Sequence, residues 1–267
     1  MNLSKTIAVT EIINSLQLIK KNPFWLVTSA ITDGLFILAL GFFTGPVKEK
    51  ITEHAVLISN QLSTLMAQEK TGLLKLMFGP ELSPMTGKLA LIMLMLFAIT
   101  YLVYSAFQGT AWWMAKNITE QKTPYKEYLL GFAKINLVWI AVYILYKILN
   151  FILALRYKII QKFSPTSPDI AGNILLILFI LAIIAAYMSY PYLKIKSLFK
   201  TPFKITAQLI GLSAVIYLVT DFILTNTNKL PIDYSIKIII GIIILMPVFT
   251  LLRVYAIRVL SHVHARN

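Results

Sequence analysis

The chain contains no cysteine among its 267 residues. Disulfides, thiolate nucleophiles, iron–sulfur clusters and cysteine zinc sites are therefore excluded, while the redox compartment stays open because an absent residue does not report it. Charged residues are also scarce: they make up 13% of the chain, about half of the roughly 25% typical of soluble domains. Hydrophobic residues reach 58% and the mean hydropathy is +0.75, so the composition predicts a membrane protein.

Acidic residues are the rarer of the two charged classes. There are 11 Asp and Glu against 25 Lys and Arg, which gives a formal net charge of +14. Such an excess is typical of proteins that bind nucleic acid, an anionic membrane surface or acidic ligands. The lysines border apolar runs and do not form one soluble basic domain. We therefore expect membrane lipids with anionic headgroups as partners, and no nucleic acid.

Six apolar runs are long enough to cross a bilayer, which takes about 20 helical residues. Each run holds at most one charged residue. The first run is also compatible with a signal peptide, but it is longer than the apolar region of such a peptide and follows more than 20 residues, so we predict a retained span. The predicted spans are Phe24–Phe43, Leu89–Met114, Ile135–Leu155, Ile170–Tyr190, Ile205–Thr225 and Tyr234–Leu252.

The distribution of basic residues predicts the orientation. The connections on the side of the termini hold 14 Lys and Arg, against 9 on the other side. This asymmetry predicts a multi-pass protein of the cell membrane with both termini in the cytoplasm. The tryptophans point the same way, because an indole ring prefers the headgroup boundary. All four lie at or near predicted inner ends: Trp25, Trp112, Trp113 and Trp139.

A basic-aromatic stretch precedes each outward-going span, around Lys20, Lys134 and Lys200. We interpret this pattern as three related hairpins. Apolar residues at helical spacing before each lysine predict an amphipathic helix on the inner leaflet, the first of them over residues 1–23. The polar faces of these helices carry the lysines that we expect to contact anionic lipid: Lys20, Lys21, Lys134, Lys200 and Lys204.

The segment Thr44–Lys88 is the one long extramembrane piece of the predicted topology. Apolar residues spaced by three and four from Val47 to Leu65 predict an outer amphipathic helix, which should stop at Thr71-Gly72. A second apolar cluster follows over Leu73–Phe78. This insertion either covers the outer end of the bundle or binds a protein partner or lipid.

The candidates for an ionisable group deep inside a predicted span are Asp33, Lys147 and Asp221. A charge at mid-bilayer costs at least about 2.5–3.5 kcal/mol, so such residues usually face the bundle interior and find partners. We hypothesise that Lys147 is shared by the two aspartates in an interior polar cluster of net charge −1. The surplus carboxylate could bind a cation or transfer a proton. The alternative is a static polar contact between helices, or side chains that snorkel toward the outer interface.

Polar residues, glycine or proline lie within or directly after three of the apolar runs. Gln108, Gly109 and Thr110 predict a close approach between helices and an interhelical hydrogen bond in the second span. Pro247 predicts a kink inside the last span, and Pro191 is expected to end the fourth.

Catalytic motifs are missing from the sequence. H-E-x-x-H, G-x-S-x-G and G-x-G-x-x-G do not occur, and Gly87-Lys88 lacks the other residues of a P-loop. His262 and His264 form a pair without a third ligand, which makes a poor metal site. We therefore predict no catalytic residue, cofactor or metal, and we do not expect an enzyme.

Two short motifs carry a resemblance to known families. Asn22-Pro23 precedes the first span within the basic-aromatic stretch, and Gln108-Gly109-Thr110-Ala111-Trp112-Trp113 closes the second. With these motifs the chain resembles uncharacterised six-span membrane families of archaea and bacteria. Its layout is similar to the membrane region attached to some glycerophosphodiester phosphodiesterases. The resemblance implies a fold and a membrane location, without a reaction.

Residues 1–267 are thus expected to form a single all-α membrane domain. The first functional hypothesis is binding or permeation of a lipid, ion or small solute through the interior polar site of Asp33, Lys147 and Asp221. The alternative is a non-catalytic scaffold or assembly factor that uses the amphipathic helices and the outer insertion. An enzyme acting on lipid-borne substrates comes last, because it requires a nucleophile or metal cluster that the sequence does not contain.

Overall fold

The computed structural model describes residues 3–68, 79–163, 168–195, 201–229 and 233–264. Over these ranges the regular structure is helical, without a strand. The described helices are α1 (Leu3–Lys21), α2 (Pro23–Gln68), α3 (Ser83–Ile118), α4 (Tyr125–Phe163), α5 (Ile170–Ser189), α6 (Phe203–Asn228) and α7 (Tyr234–His264).

Six of the described helices, α2 to α7, are long and apolar enough to cross a membrane. This finding confirms the predicted all-α class with six candidate spans and suggests a multi-pass membrane protein. Consecutive helices pack together, α4 against α5 and α6 against α7, while α1 packs against α7. The grouping of all six spans into three related hairpins stays a prediction.

Helix α2 differs from the prediction in its length. It has 46 residues, about twice the number that a crossing needs, and runs through Pro46 without a break. The amphipathic helix expected from Val47 onward is therefore a continuation of the first span and not a separate element. An interior proline removes one backbone hydrogen bond and crowds the carbonyl four residues earlier, yet the helix continues past Pro46. The predicted stop at Thr71-Gly72 and the cluster Leu73–Phe78 lie outside the described residues.

The helices expected before each hairpin have three different outcomes. The first is a separate helix, α1, which ends at Lys21 and is separated from α2 by the single residue Asn22. The second is continuous with its span, because α4 starts at Tyr125, directly after Pro124, and runs unbroken to Phe163. The third falls mostly on residues 196–200, outside the described part of the chain. Helix α6 begins at Phe203, directly after Pro202.

Helix α7 extends well past the predicted end of the last span at Leu252 and reaches His264. Its segment Arg253–Leu260 is enclosed on nearly all sides. Fully buried side chains in this segment include Val254, Tyr255 and Ile257. The C-terminal half of α7 is thus a core element, although the sequence analysis assigned it to a cytoplasmic tail.

Contacts within the chain divide it into two compact units, where the sequence predicts one membrane domain. One unit consists of Met1–Leu35 and Ser105–Asn267, and the other of Phe36–Tyr104. All the polar contacts described next lie within the first unit. Buried apolar side chains of the second unit include Val47, Ile58 and Leu82.

Candidate functional site

Two buried charges form an ion pair between α2 and α7. Asp33 is 1% exposed and Arg253 is 5% exposed. Arg253 Nη1 donates to Asp33 Oδ2 at 2.7 Å, and Nη2 donates to Oδ1 at 2.6 Å. Two parallel charge-assisted hydrogen bonds of this kind fix both the distance and the orientation of the two helices.

Gln108 on α3 completes this arrangement, which we call the central cluster: Asp33, Gln108 and Arg253. The amide Nε2 of Gln108 donates to Asp33 Oδ1 at 3.1 Å, and its Oε1 accepts from Arg253 Nη2 at 2.7 Å. Three helices therefore meet in one closed set of hydrogen bonds. Because one carboxylate faces one guanidinium, the cluster is formally neutral.

A second contact lies one turn away along both helices of the ion pair. Thr250 Oγ1 donates to Ser29 Oγ at 2.9 Å, and both residues are buried. Ser29 precedes Asp33 by four residues and Thr250 precedes Arg253 by three, so all four side chains lie on the facing sides of α2 and α7. The polar contact between these helices thus extends over about one turn.

A turn, residues 190–193, follows α5. Helices α3 and α4 contact this turn through another buried set of hydrogen bonds. Asn136 Nδ2 donates to Ser105 Oγ at 2.7 Å, and Tyr190 Oη donates to Asn136 Oδ1 at 3.3 Å. Tyr128 Oη donates to the carbonyl oxygen of Tyr190 at 2.9 Å. Burial also raises the pKa of the hydroxyl of Tyr192, two residues further along this turn.

Helix α1 is held to α7 by a second ion pair. Arg258 Nε donates to Glu11 Oε2 at 2.9 Å, with the Glu11 side chain 6% and the Arg258 side chain 30% exposed. Glu11, Ser15 and Ile19 form the buried face of α1. Arg253 and Arg258, which were counted among the inner basic residues, are therefore both paired within the bundle.

The predicted trio of Asp33, Lys147 and Asp221 does not assemble. Only Asp33 is buried with a charged partner, and that partner is Arg253. Lys147 is exposed on α4, with its ammonium 5.4 Å from the ring centre of Tyr143, and Asp221 is exposed on α6. The prediction was wrong because the last span was ended at Leu252, which placed the true partner outside the membrane. The net charge of the cluster is accordingly zero instead of −1.

Two signals in the sequence pointed toward the actual site. Gln108 had been singled out for an interhelical hydrogen bond, which is confirmed. Arg253 was missed, although Val254, Ile257 and Leu260 continue the helical apolar spacing beyond Leu252. This continuation predicts a helix that carries Arg253 inside the bundle.

Gly109 confirms the predicted close approach of helices. A Cβ atom at this position would lie 2.8 Å from Leu129 Cδ1 and 3.0 Å from Phe132 Cδ1. Both contacts come from α4, and Phe132 is fully buried. A methyl group at this position would require Leu129 or the buried ring of Phe132 to shift.

The tryptophans are not all at a lipid boundary. Trp112 is 3% exposed and contacts the rings of Tyr187 and Tyr190 at 5.6 and 5.8 Å. Its position therefore follows from core packing. Trp112 does not support the predicted orientation, which assumed tryptophans at the lipid headgroups. Trp113 packs edge-on against Trp25 at 5.4 Å.

Four of the lysines expected to contact lipid are exposed, and the fifth, Lys200, lies outside the described residues. The exposed ones are Lys20, Lys21, Lys134 and Lys204. Lipid contact by these residues stays a prediction. Among the described residues, no three His, Asp or Glu side chains are grouped to hold a metal ion.

Comparison with known proteins gave no match: a scan against family models, a search of curated proteins and a search of solved structures each returned nothing. The resemblance in layout to six-span prokaryotic families therefore stays a prediction.

Proposed function

We propose that the protein is a non-catalytic membrane scaffold that binds anionic lipid at its cytoplasmic face. The observation that carries the proposal is the neutral central cluster. Both oxygens of Asp33 are engaged by Arg253, and both polar atoms of Gln108 are engaged as well. The guanidinium already paired with Asp33 competes with any cation or proton for this carboxylate, which disfavours both functions. Its geometry favours holding α2, α3 and α7 together.

The surface around the junction of α1 and α2 supports the lipid part of the proposal. Lys20 and Lys21 are exposed there, next to Phe24, which is 68% exposed. Ile13 and Leu16 of α1 are about half exposed, at 51% and 50%. Exposed apolar side chains beside lysines are typical of helices that lie in the interface of an anionic leaflet.

The proposal includes the orientation with both termini in the cytoplasm. Arg253 and Arg258 are paired within the bundle, so they are poor reporters of the inner side. Without them the basic residues number 12 on the side of the termini against 9 on the other. The direction of the asymmetry is unchanged, and it still favours the same orientation.

The lipid site is tested by thermal unfolding in detergent with added phosphatidylglycerol or phosphatidylcholine. We expect phosphatidylglycerol to stabilise the parent more, and we expect a Lys20→Gln, Lys21→Gln, Lys134→Gln, Lys204→Gln variant to lose most of that difference. Each lysine near an anionic surface contributes about 1 kcal/mol. The matched control is Lys48→Gln with Lys50→Gln, two exposed lysines of α2 beyond its predicted outer end. An equal loss in this control would exclude a specific inner site.

A flux measurement separates the scaffold from the permeation hypothesis. Vesicles that contain the parent protein and a pH- or cation-sensitive dye should behave like protein-free vesicles. Saturable flux that disappears in Asp33→Asn would overturn the scaffold proposal and restore the interior site as a pathway.

Binding of a small polar molecule inside the bundle is the second candidate function. Tyr255 is fully buried, and its hydroxyl has no hydrogen-bond partner in the part of the chain that the structure describes. A buried polar group without a partner costs about 1–3 kcal/mol, so a bound molecule that satisfies it would gain affinity. This single hydroxyl supports the candidate less strongly than the closed central cluster supports a scaffold.

A further inference from the structure

Lys147 and Asp221 pose an energetic problem, since both are exposed on helices that can cross the membrane. A charged side chain in the hydrocarbon region costs at least about 2.5–3.5 kcal/mol unless it finds a partner or reaches the interface. Lys147 has partial compensation from the rings of Tyr143 and Tyr146, at 5.4 and 5.8 Å. The short side chain of Asp221 has little reach toward the interface.

The surroundings of the two charges are apolar and open. On α6 the neighbours of Asp221 include Leu218, one turn earlier, and Phe222, the following residue, which are 63% and 69% exposed. On α4 the neighbours of Lys147 include Ile148 and Phe151, at 43% and 54%. Each charge therefore lies in the middle of a surface that lipid or another apolar helix would cover.

The charges also lie at similar depths. Lys147 lies 12 residues after the start of the predicted span Ile135–Leu155, and Asp221 lies 16 residues after the start of Ile205–Thr225. At about 1.5 Å per residue these distances are about 18 and 24 Å, a difference that the long side chain of Lys147 can span. Helices α4 and α6 cross in the same direction in an alternating topology, so both charges are near the same side.

We propose that a second copy of this chain covers both of these helix surfaces, with Lys147 of each copy paired to Asp221 of the other. The opposite signs and the similar depths fit a parallel dimer about a twofold axis normal to the membrane. Such an interface is self-complementary and forms the ion pair twice. Each pair removes two lipid-exposed charges at once, which favours dimerisation. The inference is independent of the proposed lipid-binding role.

Charge exchange tests the pairing. The mass of the protein in its detergent complex is measured for the parent, Lys147→Asp, Asp221→Lys and the double exchange. We expect a dimer for the parent, dimerisation weakened by about tenfold or more in each single variant, and recovery in the double exchange. Lys126→Asp near the start of α4 and Lys229→Asp directly after α6, two exposed lysines outside the proposed lipid site, are the matched controls and should stay dimeric. A monomeric parent, or a double exchange that behaves like the single variants, would overturn the pairing.

Crosslinking keeps the test decisive where a charge variant does not fold. The absence of cysteine makes introduced thiols unique. One tagged copy carries Lys147→Cys and a differently tagged copy carries Asp221→Cys, and membranes that contain both are treated with a short bis-maleimide. A covalent product with both tags supports the dimer. Absence of that product, while both thiols remain reactive to a monofunctional maleimide, contradicts it.

Discussion

The two halves of α7 differ sharply in what surrounds them. Before Pro247 the helix exposes its isoleucines, with Ile239 at 55% and Ile243 at 65%. After it, the segment Arg253–Leu260 is almost completely buried and carries both ion pairs of α7. The more apolar half is on the outside and the half with the charges is inside. This order is expected where lipid is the solvent, because apolar side chains lose nothing by facing it and polar ones must find partners.

The comparison teaches that the most apolar segments of this chain lie on surfaces that lipid would cover. High hydropathy therefore does not mark the position of the core. α5 gives a second example. Its apolar run exposes Ile174, Ile177 and Leu178, each more than half exposed, and only its last residues, Met188 and Ser189, are buried. The buried part of the described chain combines apolar side chains, such as Phe132 and Leu209, with polar ones, such as Asn136 and Thr250. Three substitutions at buried positions, two on α7 and one on α3, test this contrast between buried and exposed surfaces.

The largest effect is expected from Arg253→Leu. It leaves Asp33 as an uncompensated buried charge, so we expect a loss of about 3–5 kcal/mol in the free energy of unfolding, measured by denaturation in detergent. Ile243→Ala in the exposed half is the control and should change stability by no more than about 0.5 kcal/mol. Combining Arg253→Leu with Asp33→Leu should recover part of the loss. Equal effects of the two single substitutions would contradict the contrast between the halves.

An intermediate effect is expected at Gly109, where α3 and α4 are in close contact. Gly109→Ala places a methyl group against Leu129 and Phe132, and we expect a loss of about 1–3 kcal/mol. Gly211→Ala is the matched control, because nothing lies within 4 Å of its added Cβ. Alanine favours a helix over glycine, so this control should be neutral or slightly stabilising in thermal unfolding. A neutral Gly109→Ala would mean that the close contact has room to relax.

The smallest effect, and the most informative in sign, is expected for Tyr255→Phe within the buried half of α7. If the hydroxyl has no partner, removing it should leave the free energy of unfolding unchanged or raise it by up to about 1 kcal/mol. Thermal unfolding in detergent measures this change. A destabilisation of more than about 1 kcal/mol would mean that a water or small polar molecule satisfies the hydroxyl. That result would favour the interior binding site over the scaffold.

Much of the fold could be predicted from local sequence signals. Runs of about 20 apolar residues specify spanning helices without reference to any neighbour. Pro191 correctly predicted that α5 ends just before it. The single continuous helix through Pro46 was not predicted, because hydropathy marks where an apolar run ends and not where the helix that carries it ends.

The candidate site was predicted only in part. Asp33 and Gln108 were identified because a polar group in an apolar run requires a partner. Their common partner was not, because Arg253 is indistinguishable by composition from the basic residues that flank spans. Lys147 and Asp221 looked equivalent to Asp33 in sequence, yet both are exposed.

The sequence by itself determined the class of the protein, the number of its candidate spans and the presence of polar groups that need partners. These properties depend on composition and on runs within one helix. Tertiary structure alone decided which face of each helix is inside, and hence that Arg253 pairs with Asp33 while Asp221 is exposed. The physical reason is that hydrogen bonds between spans join residues as far apart as 221 positions in the chain. Periodicity within one helix does not specify which distant side chain will meet it.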